Sequence, residues 1–163
     1  MRLAWFHPAR PDEDRHADDV RLLVDELRTA HDVDIIDEAG AHDFLWRHAR
    51  RPYDLCVYDL ADTPAHQYVW PYLLRVPGIV ALRATTLRES RGAALTREER
   101  YDDYRAELAF GGRAMLRAPL TAARLVVVFD AAVARDLERE FPGIGVEVAT
   151  IGVQGCGGAG VRG

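Results

Sequence analysis

Lysine is absent from this sequence of 163 residues, so all 21 of its Lys-or-Arg positions are arginines. The absence excludes catalysis that requires a lysine amine, such as Schiff-base formation with a carbonyl substrate. An arginine bias of this kind is typical of a GC-rich genome and does not by itself indicate an arginine-specific function.

Cysteine is scarce, and long apolar runs are missing. Cys56 lies in an apolar stretch and Cys156 in a glycine-rich tail, so neither a disulfide framework nor a cysteine zinc site is indicated. The six histidines show no metal-ligand spacing beyond generic helical pairs. No apolar run approaches the ~20 residues of a membrane span, and the first residues do not resemble a signal peptide. We therefore expect a cytoplasmic protein with no membrane span and no metal.

Positive charge is also lacking. The formal net charge is −5 at pH 7, whereas a nucleic-acid footprint normally needs a basic face. The hydrophobic fraction of 48% and the charged fraction of 29% are ordinary for a soluble globular protein. The composition predicts one globular domain that does not bind nucleic acid.

Strand and helix patterns alternate along almost the whole chain. Short apolar runs predict strands over 2–6, 32–36, 53–60, 78–82, 123–129 and 146–153. Helical periodicity falls between them, over 20–30, 41–51, 63–73, 86–110 and 131–141, with a shorter piece ending near 121. Pro71 predicts a kink or a short helix near Trp70. Strands that are apolar on both faces and separated by helices indicate a doubly wound, mostly parallel, Rossmann-like α/β sheet with helices on both faces.

The chain divides into a Rossmann-like domain over 1–153 and a glycine-rich tail over 154–163. The tail, "GGAGVRG" at its end, carries too little apolar surface to order itself. Its composition predicts the start of an interdomain linker.

In such a sheet, ligands bind beyond the carboxyl ends of the strands, where the strand order reverses. The candidate residues at those ends are His7, Asp59, Asp62, His66, Arg83, Asp130 and the glycines near 152. For Asp59, the alternative is a solvated strand-end carboxylate or a helix cap. For Arg83, the alternative is an exposed arginine paired with an acid such as Asp59 or Asp62.

Two nucleotide- or phosphate-handling classes fit these residues poorly. A dinucleotide fingerprint needs glycines after the first strand, but "HPARPDEDRHADD" has none, and its carboxylates repel phosphate. Asp59 sits where a phosphoacceptor receiver domain carries its aspartate. Receivers also need an acidic pair after strand one and a lysine after strand five, and this sequence has neither.

Three longer stretches bear a resemblance to a known family. They are "AHDFLWRHARRPYDLCVYDL", "HQYVWPYLLRVPGIVALR" and "RLVVVFDAAVARDLEREFPGIGVEVATIGV". Together they resemble the amino-terminal half of bacterial retaining family-four glycosyltransferases, which have the GT-B fold. The resemblance covers about residues 1–153 and rests on extended similarity rather than on a short catalytic signature.

The resemblance implies one of two Rossmann-like domains that face each other across a cleft. This domain would hold a sugar or glycan acceptor, and a carboxyl-terminal domain beyond this sequence would bind the nucleotide-sugar donor. The chain alone would then bind no cofactor, carry no catalytic residue and have negligible transferase activity. An uncovered domain interface would favour self-association.

By the same resemblance, His66, Arg83, His7 and Asp59 are the candidate substrate-binding residues. The sequence also departs from the family. The loop after strand one has lost its glycine, strand four ends in Arg83-Ala84 instead of a histidine and an aspartate, and the stretch over 110–119 is short. These departures indicate a changed or decayed site. The alternatives to an enzyme half are a stand-alone binding or interaction module descended from such an enzyme, or a truncated pseudogene product.

Overall fold

A computed structural model of the chain describes residues 1–9, 17–109 and 114–149. Six strands form one sheet in which every neighbouring pair is parallel. The strands are β1 (Arg2–Phe6), β2 (Asp32–Ile36), β3 (Leu55–Leu60), β4 (Ile79–Leu82), β5 (Leu125–Val128) and β6 (Val146–Val148). The predicted α/β class with a parallel sheet is confirmed.

Helices connect the strands. The α-helices are α1 (Ala17–Arg28), α2 (Glu38–Ala41), α3 (Phe44–Arg50), α4 (Trp70–Arg75), α5 (Arg88–Arg97), α6 (Tyr101–Ala109), α7 (Arg117–Ala122) and α8 (Ala131–Glu140). A 3₁₀ helix, Pro64–Val69, precedes α4.

The strand order is β2-β1-β3-β4-β5-β6, so the direction of winding reverses between β1 and β3. Such a reversal opens a crevice at the carboxyl ends of the two strands. His7 directly follows β1, and Asp59 lies near the end of β3. The topology therefore places both residues at the crevice.

Most predicted elements are present, with changes at their ends. The helix predicted over 41–51 is α3, Phe44–Arg50. A separate short helix, α2, precedes it, and Asp37 caps α2 by accepting a hydrogen bond from the Gly40 amide at 2.7 Å. The alternative of a short helix near Trp70 is confirmed, because the six-residue α4 begins there directly after the 3₁₀ helix. Pro71 lies in the first turn of α4, where its missing N–H is tolerated.

Some predictions fall on residues outside the described ranges. They are the glycine break at 111–112, the end of the last strand beyond Ala149, the glycines near 152 and the tail over 154–163.

Gly78 fixes how closely β4 can begin beside β3. A Cβ at this position would lie 2.1 Å from the carbonyl oxygen of Cys56, which belongs to the backbone of β3. A larger residue would push the two strands apart, so the close approach requires glycine.

The two faces of the sheet have separate apolar cores. The first-face core packs even-numbered strand residues such as Phe6, Tyr58 and Val126 against helices. Its helical contributions are Ala41, Phe44, Trp70, Leu73, Ala94, Leu120, Ala134 and Leu137, from α2, α3, α4, α5, α7 and α8, and Tyr68 and Val69 from the 3₁₀ helix.

The second-face core is much smaller. Its buried members are Leu3, Trp5, Val20, Val24, Val33 and Val57. Within the described ranges, α1 is the only helix that contributes buried residues to this cluster. Helices thus cover both faces, but among the described helices the second face packs against α1.

Candidate functional site

Three of the predicted site residues meet at the carboxyl end of the second face. In the register of the sheet Trp5 pairs with Val57, so His7 and Asp59, two residues further on, lie side by side on the same face. Arg83 directly follows β4, and its amide continues the ladder by donating to the Leu60 carbonyl at 2.9 Å. The alternation of strand residues thus brings the three side chains together.

Asp59 is the centre of this cluster. One of its carboxylate oxygens, Oδ2, lies 2.9 Å from His7 Nδ1. The other, Oδ1, accepts a hydrogen bond from Arg83 Nε at 2.7 Å. Asp59 has no solvent exposure, and the Arg83 side chain is only 3% exposed. The Arg83 guanidinium also stacks on the ring of Phe129, 4.4 Å from its centroid.

The surroundings of Asp59 keep it ionised. Burial alone would raise its pKa, but the hydrogen bond with His7 and the charge and hydrogen bond of Arg83 outweigh burial, so the pKa lies below its ordinary value. An ionised carboxylate can only accept, and His7 Nδ1 must therefore carry the proton. The cluster holds the His7 ring in one tautomer and orientation.

This geometry corrects two of the alternatives drawn from the sequence. Asp59 is neither a solvated carboxylate nor a helix cap, since it is fully buried and paired on both oxygens. Arg83 pairs with Asp59, as one alternative held, but the pair is buried instead of exposed. The reason is that both side chains continue the inward alternation of their strands.

His66 lies apart from these three residues. It is the third residue of the 3₁₀ helix, and its Nδ1 lies 3.0 Å from Thr63 Oγ1. The side chain has no solvent exposure. His66, a candidate substrate-binding residue, therefore does not present its ring to solvent in the described structure.

A groove of about 580 Å³ opens at the same edge of the sheet, beside the reversal of winding. It is lined by Pro8, Ala9, Asp37, Glu38, Ala39, Pro64, Ala65 and Gln67. These residues come from the segments that follow β1, β2 and β3. We call this space the carboxyl-edge groove.

The polar lining of the carboxyl-edge groove is acidic. Asp37 and Glu38 contribute carboxylates and Gln67 an amide, and the described lining residues include no basic side chain. Sequence reasoning missed Asp37 and Glu38. The signal was present, because Asp37 directly follows the second strand, just as His7 follows the first. Ligands bind beyond the carboxyl ends of the strands in such a sheet, and applying this rule, the carboxyl-end rule, to β2 would have identified both residues.

Two other candidates act as helix caps. Asp62 accepts hydrogen bonds from the amides of Glu89 and Ser90 at the start of α5, at 2.7 and 3.3 Å. Asp130 caps α8 through the amide of Ala132 at 2.6 Å. Carboxylates stabilise helix amino termini in this way, so neither residue needs a ligand to explain its position.

No three His, Cys, Asp or Glu side chains of the described residues lie close enough together to hold a metal ion. Nor has any helix in the described ranges the length and apolar character to cross a membrane. No family model, curated protein or solved structure matches this chain.

Proposed function

We propose that this chain is the acceptor-side domain of a glycosyltransferase that moves a sugar from a nucleotide-sugar donor to a sugar or glycan acceptor. The observation that carries the proposal is the acidic carboxyl-edge groove at the reversal of winding. This is the place where open parallel sheets bind ligands.

The chemistry of the groove suits hydroxyl groups. Carboxylate oxygens of Asp37 and Glu38 and the amide of Gln67 accept hydrogen bonds, and sugar hydroxyls donate them. Charge-assisted hydrogen bonds of this kind are stronger than neutral ones. Pro8, Ala39 and Pro64 supply apolar surface against which a sugar ring can pack.

The same groove repels a diphosphate. Two carboxylates face it, the described lining residues include no arginine, and Arg83 at the end of β4 is already paired with Asp59 inside the protein. A nucleotide-sugar donor therefore needs basic groups from elsewhere, and the proposal assigns them to a second, carboxyl-terminal domain.

The buried cluster then has a positioning role. Asp59 ties together the ends of β1 and β4 through His7 and Arg83, next to the segment that carries Pro8 and Ala9. Similarly, buried His66 fixes the 3₁₀ helix whose neighbours Ala65 and Gln67 line the groove. Replacing His66 by alanine should therefore lower stability as well as acceptor binding.

The test is a titration of the ¹⁵N-labelled chain with mono- and disaccharides, followed by amide chemical shifts. We expect saturable shifts around Asp37 and Gln67, and an affinity lower by about fivefold in Asp37→Asn, from the loss of one charge-assisted hydrogen bond. Asparagine can still cap α2 through its side-chain oxygen. Asp102→Asn is the matched control, since Asp102 is 97% exposed on α6.

Two results would contradict the proposal. One is shifts at the groove with nucleoside diphosphates but not with sugars. The other is sugar binding that Asp37→Asn leaves unchanged. Transferase activity of the purified 163-residue chain with a nucleotide sugar is expected to be negligible, and a radiolabelled transfer assay measures it.

A second candidate function is a stand-alone binding module derived from such an enzyme. The internal pairing of Arg83 with Asp59 favours it, because that arginine is not offered to a donor. Reading the DNA beyond the codon of Gly163 separates the two. A continuing frame that encodes another Rossmann-like unit favours the enzyme half, and an immediate stop codon with native expression favours the module.

A further inference from the structure

The carboxyl-edge groove carries negative charge that no arginine of the described ranges neutralises. Its carboxylates, those of Asp37 and Glu38, form no ion pair within residues 1–9, 17–109 and 114–149. The arginine of the neighbouring helix α3 is engaged elsewhere, since Arg47 Nε pairs with Asp43 at 2.9 Å and its Nη2 donates to the Gly40 carbonyl at 2.7 Å. The charge of the groove is therefore available to a ligand.

The local structure leaves most of these carboxylate oxygens without a protein partner. Asp37 is the cap of α2, and its Oδ1 accepts a hydrogen bond from the Gly40 amide at 2.7 Å. Its Oδ2 and both carboxylate oxygens of Glu38 accept no hydrogen bond from any described residue. Capping accounts for one of the four oxygens, and the other three can accept hydrogen bonds from a ligand.

The negative field of these carboxylates reaches a buried group beside the groove. Tyr68 of the 3₁₀ helix is buried, and its hydroxyl donates to the Ile36 carbonyl at 2.9 Å. Burial raises the pKa of this hydroxyl, and the charges of Asp37, Asp59 and Glu38 raise it further. Buried groups are screened less by salt and water than exposed ones. A positive group bound in the groove would therefore relieve this unfavourable field in addition to making its own contacts.

We propose that the acceptor held by the carboxyl-edge groove is an amino sugar whose ammonium group contacts Asp37 and Glu38; this assignment rests on the proposed function, since it names the acceptor class of the same groove. An ammonium group has three hydrogen-bond donors and no acceptor, and ionised carboxylates only accept. The hydroxyl of a neutral sugar also donates, but it brings no charge and would leave both carboxylates uncompensated. The charge of the groove thus favours an amine over a hydroxyl at this position.

The rest of the groove suits the remainder of such a molecule. The amide of Gln67 can both donate to and accept from sugar hydroxyls. Pro8, Ala39 and Pro64 supply apolar surface for the ring. The volume of about 580 Å³ lies within the ~300–1,000 Å³ of small-molecule sites. An amino sugar would therefore use the polar and the apolar lining and neutralise its charge as well.

Three probes that differ at one position of the same ring test the assignment. Glucosamine carries an ammonium group there at about pH 6, glucose a hydroxyl, and N-acetylglucosamine a neutral amide. Each is titrated into the ¹⁵N-labelled chain, and the amide signals of Gly40 and Gln67 are followed. We expect glucosamine to bind about fivefold more tightly than glucose, from ion pairs at a partly exposed site, and N-acetylglucosamine no more tightly than glucose. High salt should reduce the preference.

A double variant tests the contact itself. Asp37→Asn combined with Glu38→Gln removes both charges and keeps the cap of α2, because the asparagine side-chain oxygen can still accept the Gly40 amide. The ratio of the glucosamine affinity to the glucose affinity should fall from about five to about one. Lost hydrogen bonds affect both sugars alike, so the ratio reports the charge. Asp102→Asn removes one charge from the exposed side of α6 and should keep the wild-type ratio.

The failures of this assignment and of the proposed function are distinguishable. Equal affinities of glucosamine and glucose, with shifts at the groove, would overturn the assignment and leave the proposed function intact. No shift at the groove with any of the three sugars would overturn both. A preference that the double variant keeps, or that Asp102→Asn also loses, would exclude the groove carboxylates as the contact. Ethanolamine, an amine without a ring, is the last probe, and binding as tight as that of glucosamine would contradict an amino-sugar site.

Discussion

The two faces of the sheet are built from the same strands but are stabilised differently. Val126 and Val127 are neighbours in β5, yet Val126 is fully buried in the first-face core. Val127 is partly exposed at an apolar space of about 290 Å³ beside α1, the second-face slot. Six α-helices and the 3₁₀ helix contribute buried residues to the first face, whereas on the second face α1 is the only helix of the described ranges that does so. The first face is therefore held by apolar packing over its whole length.

At its carboxyl end, the second face has a polar cluster in place of apolar packing. His7, Asp59 and Arg83 continue the alternation of that face where its apolar floor ends. Buried ion pairs add little net stability compared with apolar packing, but they are costly to break. The two faces should therefore respond to substitution in different ways.

The largest effect is expected from Asp59→Asn. It removes the carboxylate that neutralises Arg83, whose side chain is 3% exposed, and leaves a buried positive charge uncompensated. We expect the free energy of unfolding to fall by about 3–5 kcal/mol, measured by chemical denaturation.

The control for this change is Asp102→Asn, on the exposed side of α6, which should alter stability by less than about 0.5 kcal/mol. Combining Asp59→Asn with Arg83→Met removes both charges and should recover part of the loss. If the double variant is less stable than Asp59→Asn, the ion pair does not account for the effect.

A smaller loss of folding stability is expected when the pH is lowered. Although burial raises the pKa of Asp59, its contacts with His7 and Arg83 lower it further, and the folded pKa lies below the ordinary 3.8. The unfolded state therefore takes up a proton at higher pH than the folded state does. This contribution to stability is complete above about pH 5 and is lost as the pH falls through the folded pKa.

The measurement is the free energy of unfolding as a function of pH, in wild type and Asp59→Asn. Between about pH 5 and 2 the wild-type curve should fall more steeply, because the variant lacks one carboxylate that protonates on unfolding. Asp34 will leave some slope in both proteins. Its pKa is also lowered, since hydrogen bonds from Tyr53 and Arg2 outweigh its burial. Parallel curves would contradict the assignment to Asp59.

Much of the fold could be predicted from the sequence. The limits of β1 and β2 follow directly from short apolar runs bounded by turn residues, and Pro71 marked the change of helix type near Trp70. The unequal cover of the two faces could not be predicted. It depends on the strand order, which places α1, alone among the helices of the described ranges, on the second face. Periodicity carries no information about that order.

The candidate site was predictable only in part. The carboxyl-end rule brought His7, Asp59 and Arg83 to one edge, but the burial of all three follows from the register between β1, β3 and β4. His66 satisfied the same rule and is buried, because a 3₁₀ helix turns its side chains differently from an α-helix.

The smallest effect is expected in the most closely matched pair, Val126→Ala and Val127→Ala. Both remove the same two methyl groups from adjacent positions of β5. Val126 is fully buried, so its truncation should lower the free energy of unfolding by about 2 kcal/mol, from lost burial and the cavity left behind. Val127 already borders open space, so its truncation should cost less than about 1 kcal/mol.

Chemical denaturation of both variants measures the difference between their free energies of unfolding. If the second face is bare in the free protein, Val127→Ala remains the milder change at every protein concentration. If a second copy covers the slot, the cost of Val127→Ala should rise with protein concentration towards that of Val126→Ala, because stability gained from association grows with concentration. The same pair therefore separates an open slot from an interface between copies without any added probe.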